Sequence, residues 1–177
     1  MSVVAARKVE SLHWSMSSDS IAVSGSDKFY ERNGKIIRKD FLLIGYVGKW
    51  RAGQLLEVTE FKYLRPAGCK EAREFLIKQF VPFLQGLAQK EPEQFTDAAF
   101  LVVCNGRCFR IYPQSGQVVE SVHDYDAIGC GAQIALGAMY AGATSEGAIA
   151  AAEEFCTDVG GPIITISSGK SLPREED

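Results

Sequence analysis

The first residues of the chain could form a nucleophile that carries its own base. Ser2 follows Met1, and its small side chain makes the methionine a good candidate for removal. Removal would leave a free α-amine and a hydroxyl on the same residue. Because an α-amine has an ordinary pKa of about 8, it can accept the hydroxyl proton near neutral pH and activate the oxygen for acyl transfer. The alternative is that Met-Ser is a common start without catalytic meaning.

Other catalytic patterns are absent from the sequence. It contains no Gly-x-Ser-x-Gly, no phosphate-binding glycine loop and no His-Glu-x-x-His. The two histidines, His13 and His123, have no neighbouring metal-ligand partner, so we interpret them as structural or surface residues. Cys104 and Cys108 flank a tight turn and could face each other across a hairpin, where we expect free thiols. The spacing of the five cysteines matches no zinc pattern: Cys69, Cys104, Cys108, Cys130 and Cys156.

Composition is that of an ordinary globular protein. A length of 177 residues predicts one domain, which can bury roughly 70% of its unfolded surface without a disulfide or metal. A net charge of −3 argues against a nucleic-acid surface. No apolar run approaches the roughly 18 residues of a membrane span, and the first residues lack a secretory signal. We therefore expect a cytoplasmic protein that binds neither nucleic acid nor membrane, with one domain over residues 1–167 and a polar tail over 168–177.

The first half of the chain predicts mainly strands. Residues 7–11 are expected to be a polar turn, and Asn33-Gly34 favours a type I′ hairpin between its flanking segments. Helical spacing predicts two helices that follow, the second with Pro82 inside it as a possible kink. The predicted strands are 2–6, 12–17, 20–24, 29–32, 35–38 and 41–48, and the predicted helices are 49–63 and 71–90.

The second half of the chain again predicts strands followed by helices. Turn residues separate the strands of a predicted antiparallel meander. Thr144 is a candidate N-cap for the last helix. Each helix pair has to cover a sheet face, which predicts an α+β fold: a four-layer αββα sandwich of two antiparallel sheets flanked by helix pairs. The predicted strands are 98–104, 108–112, 117–122 and 163–166, and the predicted helices are 132–141 and 145–157.

The ordered set of motifs resembles the proteasome β-subunit and HslV family of N-terminal-nucleophile hydrolases. Ser2-Val3-Val4-Ala5 resembles the family's first strand, which begins with the nucleophile, usually threonine. Asp19 matches an aspartate at the end of the second strand, and Lys35 follows at the family's spacing, opening the HslV-like stretch KIIRKDFLLIGYVGK. Residues 125–132 resemble the family's Ala-Ile-Gly-Ser-Gly-Gly turn, and 148–166 resemble its last helix and strand. The resemblance covers nearly the whole chain, although residues 55–97 match only in helical character.

The resemblance implies a role for each matching residue. Ser2 would be the nucleophile and its α-amine the base, while Lys35, held beside Asp19, would lower the proton affinity of the hydroxyl. The backbone N–H of Gly48 would form the oxyanion hole, and Cys130 occupies the position of the family's serine. No cofactor is implied beyond a structural monovalent or divalent cation, for which the matching backbone carbonyls are those of Gly160, Ile163 and Ile166.

The resemblance implies a peptidase subunit that hydrolyses unfolded polypeptides inside a self-compartmentalised ring of identical chains. The ring could be stacked as a double ring and fed by an ATP-dependent unfoldase. Two alternatives stay open: a catalytically inactive homologue with a structural or assembly role, and an amide hydrolase with a small-molecule substrate.

Several departures from the family keep the inactive homologue in consideration. Serine replaces threonine at residue 2, and a shift of one residue would place Met1 there instead. The family's helical aspartate aligns better with Thr157 than with Asp158, and Lys49, Trp50 and Arg51 would bring bulk and charge near the cleft. Asp19 and Lys35 could also be a solvated pair on a hairpin.

Overall fold

Two antiparallel sheets pack face to face in a computed structural model that describes residues 2–24 and 26–168. The strands are β1 (Val3–Glu10), β2 (His13–Ser18), β3 (Ile21–Ser24), β4 (Asp27–Tyr30), β5 (Ile36–Lys39), β6 (Leu42–Val47), β7 (Ala99–Cys104), β8 (Arg107–Tyr112), β9 (Gln117–Glu120), β10 (Tyr125–Gly129) and β11 (Ile164–Ser167). The helices are α1 (Trp50–Val58), α2 (Ala72–Phe75), α3 (Val81–Lys90), α4 (Pro92–Phe95), α5 (Ala132–Tyr140) and α6 (Ser145–Phe155).

The first sheet has the order β10-β1-β2-β11 and the second the order β5-β6-β7-β8-β9. Strand β1 is therefore an inner strand, with Val3 opposite Gly129 on one side and Val4 opposite Ser18 on the other. Strands β3 and β4 form a separate two-stranded ribbon. The start of the chain is thus held between two neighbouring strands.

Apolar side chains fill three layers between the sheets and helices. One layer lies between the sheets, a second between the first sheet and helices α5 and α6, and a third between the second sheet and helices α1 to α4. This arrangement confirms the predicted αββα sandwich. Representative buried residues are Val4, Met16 and Leu43 in the first layer, Val3, Ala135 and Ile149 in the second, and Phe80, Phe100 and Phe109 in the third.

Pro82 lies in a helix that runs on from α2 to α3 through a π-helical turn, Leu76–Phe80. Proline has no N–H for a bond to the carbonyl four residues earlier, and its ring would clash with that carbonyl. A π turn is one of the ordinary ways in which a helix adjusts to such a defect. Leu76, Phe80 and Leu84 all remain buried against the second sheet.

Three local predictions for the first half are wrong. Residues 7–10 continue β1 instead of forming a turn, because Arg7 donates to the carbonyls of Met139 and Ala143 at the end of α5, both at 2.7 Å. Asn33-Gly34 is a turn, but it joins the β3–β4 ribbon to the second sheet, where β5 pairs with β6. The first predicted helix ends at Val58.

Two further predictions from the second half are corrected. Cys104 lies opposite Arg107 and Cys108 opposite Val103, so the two cysteines do not face each other across the β7–β8 hairpin. Residues 125–129, interpreted as a turn, form the edge strand β10.

The remaining predictions for the second half hold. The meander β7-β8-β9 and both helices near the end are confirmed, and Thr144 accepts from the Gly147 N–H as the N-cap of α6. Within the described residues, no helix is long and apolar enough to cross a membrane. The predicted polar tail lies outside the described part of the chain from residue 169 onward.

Candidate active site

The peptide unit that joins Ser2 to Val3 is held by hydrogen bonds to its carbonyl and to its N–H. The Cys130 N–H donates to the Ser2 carbonyl at 2.9 Å, and the Cys130 thiol lies 3.4 Å from the same oxygen. The next N–H, that of Val3, donates to the Asp19 carboxylate at 2.9 Å. Ser2 is only 3% exposed. Met1, whose removal is predicted, lies outside the described residues.

Asp19 and Lys35 form a buried ion pair beside residue 2. The Lys35 Nζ lies 2.7 Å from Asp19 Oδ2 and 2.9 Å from the carbonyl of Ile21. Their side chains are 1% and 2% exposed, so the alternative of a solvated hairpin pair is wrong. Asp19 directly follows β2 and Lys35 directly precedes β5, so the ends of two strands in different sheets bring them together.

Burial controls the proton affinity of this pair. It lowers the pKa of the Lys35 ammonium, against the opposing attraction of Asp19. Burial also raises the pKa of Asp19, while Lys35 and the Val3 N–H oppose that shift. The ammonium has three N–H donors, and the two acceptors named above account for two of them. A lysine with a lowered pKa in such a position can exchange a proton with a neighbouring nucleophile more easily than an ordinary lysine.

Gly48 lies at the same end of the sandwich as Ser2. It follows the last residue of β6, Val47, and the Val47 side chain reaches Gly129, which in turn contacts the Ser2 carbonyl. Gly48 has a φ of +112°, which favours glycine, and a Cβ there would come within 3.1 Å of the Ala98 Cα and the Asp97 carbonyl. Gly48 is exposed to solvent.

Cys130 lies between the Ser2 carbonyl and a second cysteine. Its Sγ is 3.6 Å from the Sγ of Cys156, which ends helix α6. Burial raises the pKa of the Cys130 thiol, and the thiol is close enough to Lys35 to interact with the ammonium electrostatically. Cys130 is thus a hydrogen-bonding neighbour of residue 2.

An ion pair between the sheets fixes the strand that carries Gly129 and Cys130. The buried Asp126 carboxylate on β10 accepts from both the Nε and the Nη2 of Arg110 on β8, with the Nε 2.9 Å from Oδ2, and also from the Ser121 hydroxyl. A charge-assisted, bidentate pair of this kind has little freedom to rotate. The position of the residues that bind the Ser2 carbonyl therefore depends on both sheets.

The residues suggested for a cation receive no support from the geometry. The Gly160 carbonyl accepts the backbone N–H groups of Ser20, at 3.2 Å, and Ile21, at 3.0 Å. Ile163 and Ile166 are half-buried, and Ile166 lies opposite Met16 in the first sheet. The cation stays a prediction. In the described part of the chain, no group of three or more His, Cys, Asp and Glu side chains could hold a metal ion.

Sequence analysis missed part of the surroundings of Lys35. The Trp50 ring centroid lies 5.2 Å from the Lys35 Nζ, so the bulk expected near the cleft covers the lysine. Arg51, by contrast, pairs with Glu91 on the surface. The Ser18 hydroxyl accepts from the Lys35 backbone N–H at 3.0 Å. Only the position of Ser18 next to Asp19 could have indicated that contact.

Gly129→Ala is expected to destabilise the protein. Gly129 has a φ of +101°, and a Cβ would lie 2.0 Å from the Ser2 carbonyl oxygen, in a position fixed by β1. The backbone conformation should cost about 1–3 kcal/mol and the clash about 1–3 kcal/mol more. Urea denaturation measures the loss in the free energy of unfolding. Gly137→Ala is the control, because Gly137 is exposed in α5 with open space around it. It should stabilise the helix by about 0.5–1 kcal/mol, and equal effects of the two substitutions would contradict the strain at Gly129.

Known structures with this fold include BPH, HslV and Anbu. BPH from Thiobacillus denitrificans has a TM-score of 0.74 at 20% identity, over 93% of this chain and 96% of that chain. Eukaryotic HslV from Trypanosoma brucei has a TM-score of 0.66 at 17% identity, over 93% and 98%. Anbu, the ancestral beta-subunit, from Yersinia bercovieri has a TM-score of 0.64 at 17% identity, over 93% and 80%. No protein-family model and no curated protein sequence matches the chain.

The sandwich of this chain is therefore a fold already known from solved structures. More narrowly, the chain shares the fold of BPH, HslV and Anbu along almost its full length.

Proposed function

We propose that this chain is an N-terminal-nucleophile peptidase in which Ser2 becomes the first residue and attacks a peptide carbonyl. One observation carries the proposal: a buried Lys35–Asp19 pair adjoins residue 2, and its carboxylate binds the Val3 N–H. A buried ion pair is expensive to desolvate, so its place beside a hydroxyl and a potential free amine favours a catalytic role over a stabilising one.

The chemistry follows from the positions of these groups. The α-amine of Ser2 takes the hydroxyl proton, and the charge of Lys35 stabilises the alkoxide as it attacks the carbonyl carbon. The Gly48 N–H donates to the oxyanion, a contact worth about 3 kcal/mol of barrier. The C–N bond then breaks, the leaving amine takes the proton, and an ester remains on Ser2 Oγ. Water deprotonated by the same α-amine hydrolyses the ester and restores the hydroxyl.

The proposal extends to the assembly and the substrate. Identical chains form a closed ring in the cytoplasm, and two such rings can stack as a double ring. The ring cleaves unfolded polypeptide that an ATP-dependent unfoldase delivers. The fold shared with BPH, HslV and Anbu supports this extension. BPH has also been solved in complex with epoxomicin, which makes that compound a reasonable ligand to try on this chain.

Intact mass spectrometry is the first test. We expect a mature protein that lacks Met1, and the same preparation should hydrolyse fluorogenic peptides and become labelled on Ser2 by an electrophilic hydroxyl-directed probe. Light scattering should give the mass of a ring. Retention of Met1 with no turnover and no label would overturn the peptidase and leave the inactive homologue. Turnover of small amides without turnover of peptides would instead indicate the small-molecule amide hydrolase.

A further inference from the structure

Two thiols lie in contact next to the Ser2 carbonyl. Cys130 follows β10 and Cys156 ends α6, so the pair joins elements that are distant in the sequence. Their sulfur atoms are 3.6 Å apart, about 1.5 Å more than the length of a disulfide bond. Cys130 is exposed and Cys156 is half-buried, so a small reagent can reach the pair from solvent.

The other cysteines have different surroundings. Cys104 and Cys108 are buried, and burial raises the pKa of Cys104 to about 12 and raises the pKa of Cys108 as well. Because both side chains are buried, a disulfide reagent in solution cannot reach these two thiols. Cys69 is half-buried and donates to the Asn105 carbonyl at the β7–β8 turn. This leaves Cys130 and Cys156 as the accessible cysteines that are known to touch each other.

We propose that Cys130 and Cys156 form a thiol–disulfide exchange site that reacts with a low-molecular-weight disulfide. One thiolate attacks the reagent, a mixed disulfide forms, and the first thiolate of the reagent leaves. The second cysteine, as its thiolate, then attacks the protein sulfur of the mixed disulfide and releases the second thiolate of the reagent. Two S–H bonds are lost from the protein and one S–S bond is gained, while the reagent is reduced to two thiols.

A disulfide between Cys130 and Cys156 would affect the candidate active site through the contact between Cys130 and Ser2. In the reduced protein its thiol lies 3.4 Å from the Ser2 carbonyl, and its N–H donates to the same oxygen. Oxidation removes the S–H donor and draws the sulfur toward α6, so residue 2 loses one of its supports. For the activity of the chain, this consequence rests on the proposed function. The cross-link itself is independent of it.

The cross-link is tested on the reduced, full-length protein with oxidised glutathione. Non-reducing peptide mapping should find one peptide pair joined through Cys130 and Cys156, and a thiol reductant should separate it. In Cys156→Ser the second step is blocked, so a glutathione adduct should accumulate on Cys130. Cys69→Ser is the matched control and should form the bridge as the parent does. Separate adducts on Cys130 and Cys156 without a bridge, or a bridge that involves Cys69, would overturn the proposal.

Peptide hydrolysis gives a second readout that separates the two proposals. If the chain is a peptidase, oxidation should cause a loss of activity that the reductant reverses, and Cys69→Ser, which still forms the bridge, should show the same loss. A bridge without any peptidase activity before oxidation would leave the exchange site intact and contradict the proposed function. Unchanged activity in the bridged protein would overturn the link between the thiol pair and Ser2.

Discussion

Ser2→Ala is expected to abolish peptide hydrolysis while leaving the fold intact. Removing the nucleophile from a unit of cooperating groups should lower kcat by on the order of 10⁶-fold, which is below detection for most peptide assays. The substitution removes one oxygen and keeps the carbonyl that accepts from the Cys130 N–H. Alanine is also small enough for Met1 to be removed, so the α-amine would still be produced. Initial rates with fluorogenic peptides, together with intact mass, measure the effect.

Two further variants control the Ser2 experiment. Ser2→Thr keeps both the hydroxyl and the amine and should remain active, since threonine is the residue that the family uses. Ser11→Ala removes a hydroxyl from an exposed position at the β1–β2 turn and should change nothing. Hydrolysis by Ser2→Ala at the parent's rate would rule out Ser2 as the nucleophile.

Lys35→Met is expected to cause a large loss of stability. It leaves the Asp19 carboxylate, which is 1% exposed, without its main counter-charge. Breaking a buried pair from one side costs about 3–5 kcal/mol, because the remaining charge stays desolvated. Lys8→Met is the matched control, because Lys8 pairs with Asp124 on the surface at 3.3 Å. It should cost about 0–1 kcal/mol, and urea denaturation of both variants gives the comparison.

A double variant separates stability from catalysis. Asp19→Asn combined with Lys35→Met removes both charges, and an amide oxygen can still accept from the Val3 N–H. Much of the lost stability should return, but peptide hydrolysis should stay at least roughly 10²-fold below the parent because no cation is left to support proton transfer. Recovery of full activity in the double variant would show that the pair only stabilises the fold.

Much of the fold could be predicted because its signals are local. Two patterns each predict a strand from the apolar side chains that have to be buried. They are the apolar run at residues 41–48 and the alternation of apolar and polar residues at 12–17. The helix pairs follow from stripes of apolar residues and from Thr144 as a cap. Their arrangement into four layers then has few solutions, since every apolar face has to be covered.

The errors arose where a distant partner decides the local structure. Arg7 is a polar residue in an apparent turn, yet it continues β1 because the end of α5 offers two carbonyls to its guanidinium. Residues 125–129 were interpreted as a turn through the family resemblance, but they form the strand β10, which carries the buried Asp126. Its charge is satisfied by Arg110, which lies on the other sheet. Neither partner can be identified from the spacing of residues along the chain.

The candidate site could be predicted only in part, because its contacts also depend on distant partners. Asp19 and Lys35 were identified through a family resemblance, because their contact depends on two strand ends meeting across the sandwich. The contact between Cys130 and Cys156 was not predicted at all, since it requires the end of α6 to lie beside the end of β10. The π turn before Pro82 is the way in which the helix accommodates the proline, whereas the sequence indicated only a possible kink.

The first strand can complete its pairing only late in the synthesis of the chain. Val3 pairs with Gly129 and Ser2 is bound by Cys130, so the beginning of the chain cannot reach its final position until more than two thirds of it has been made. At about 5–20 residues per second, a ribosome needs roughly 6–26 s to go from residue 2 to residue 130. During that interval the start of the nascent chain lacks its β10 partner, although β2 is already made, and is open to a methionine-removing enzyme. Once β10 emerges and pairs, Ser2 is almost fully covered, so the delay itself provides the time for processing.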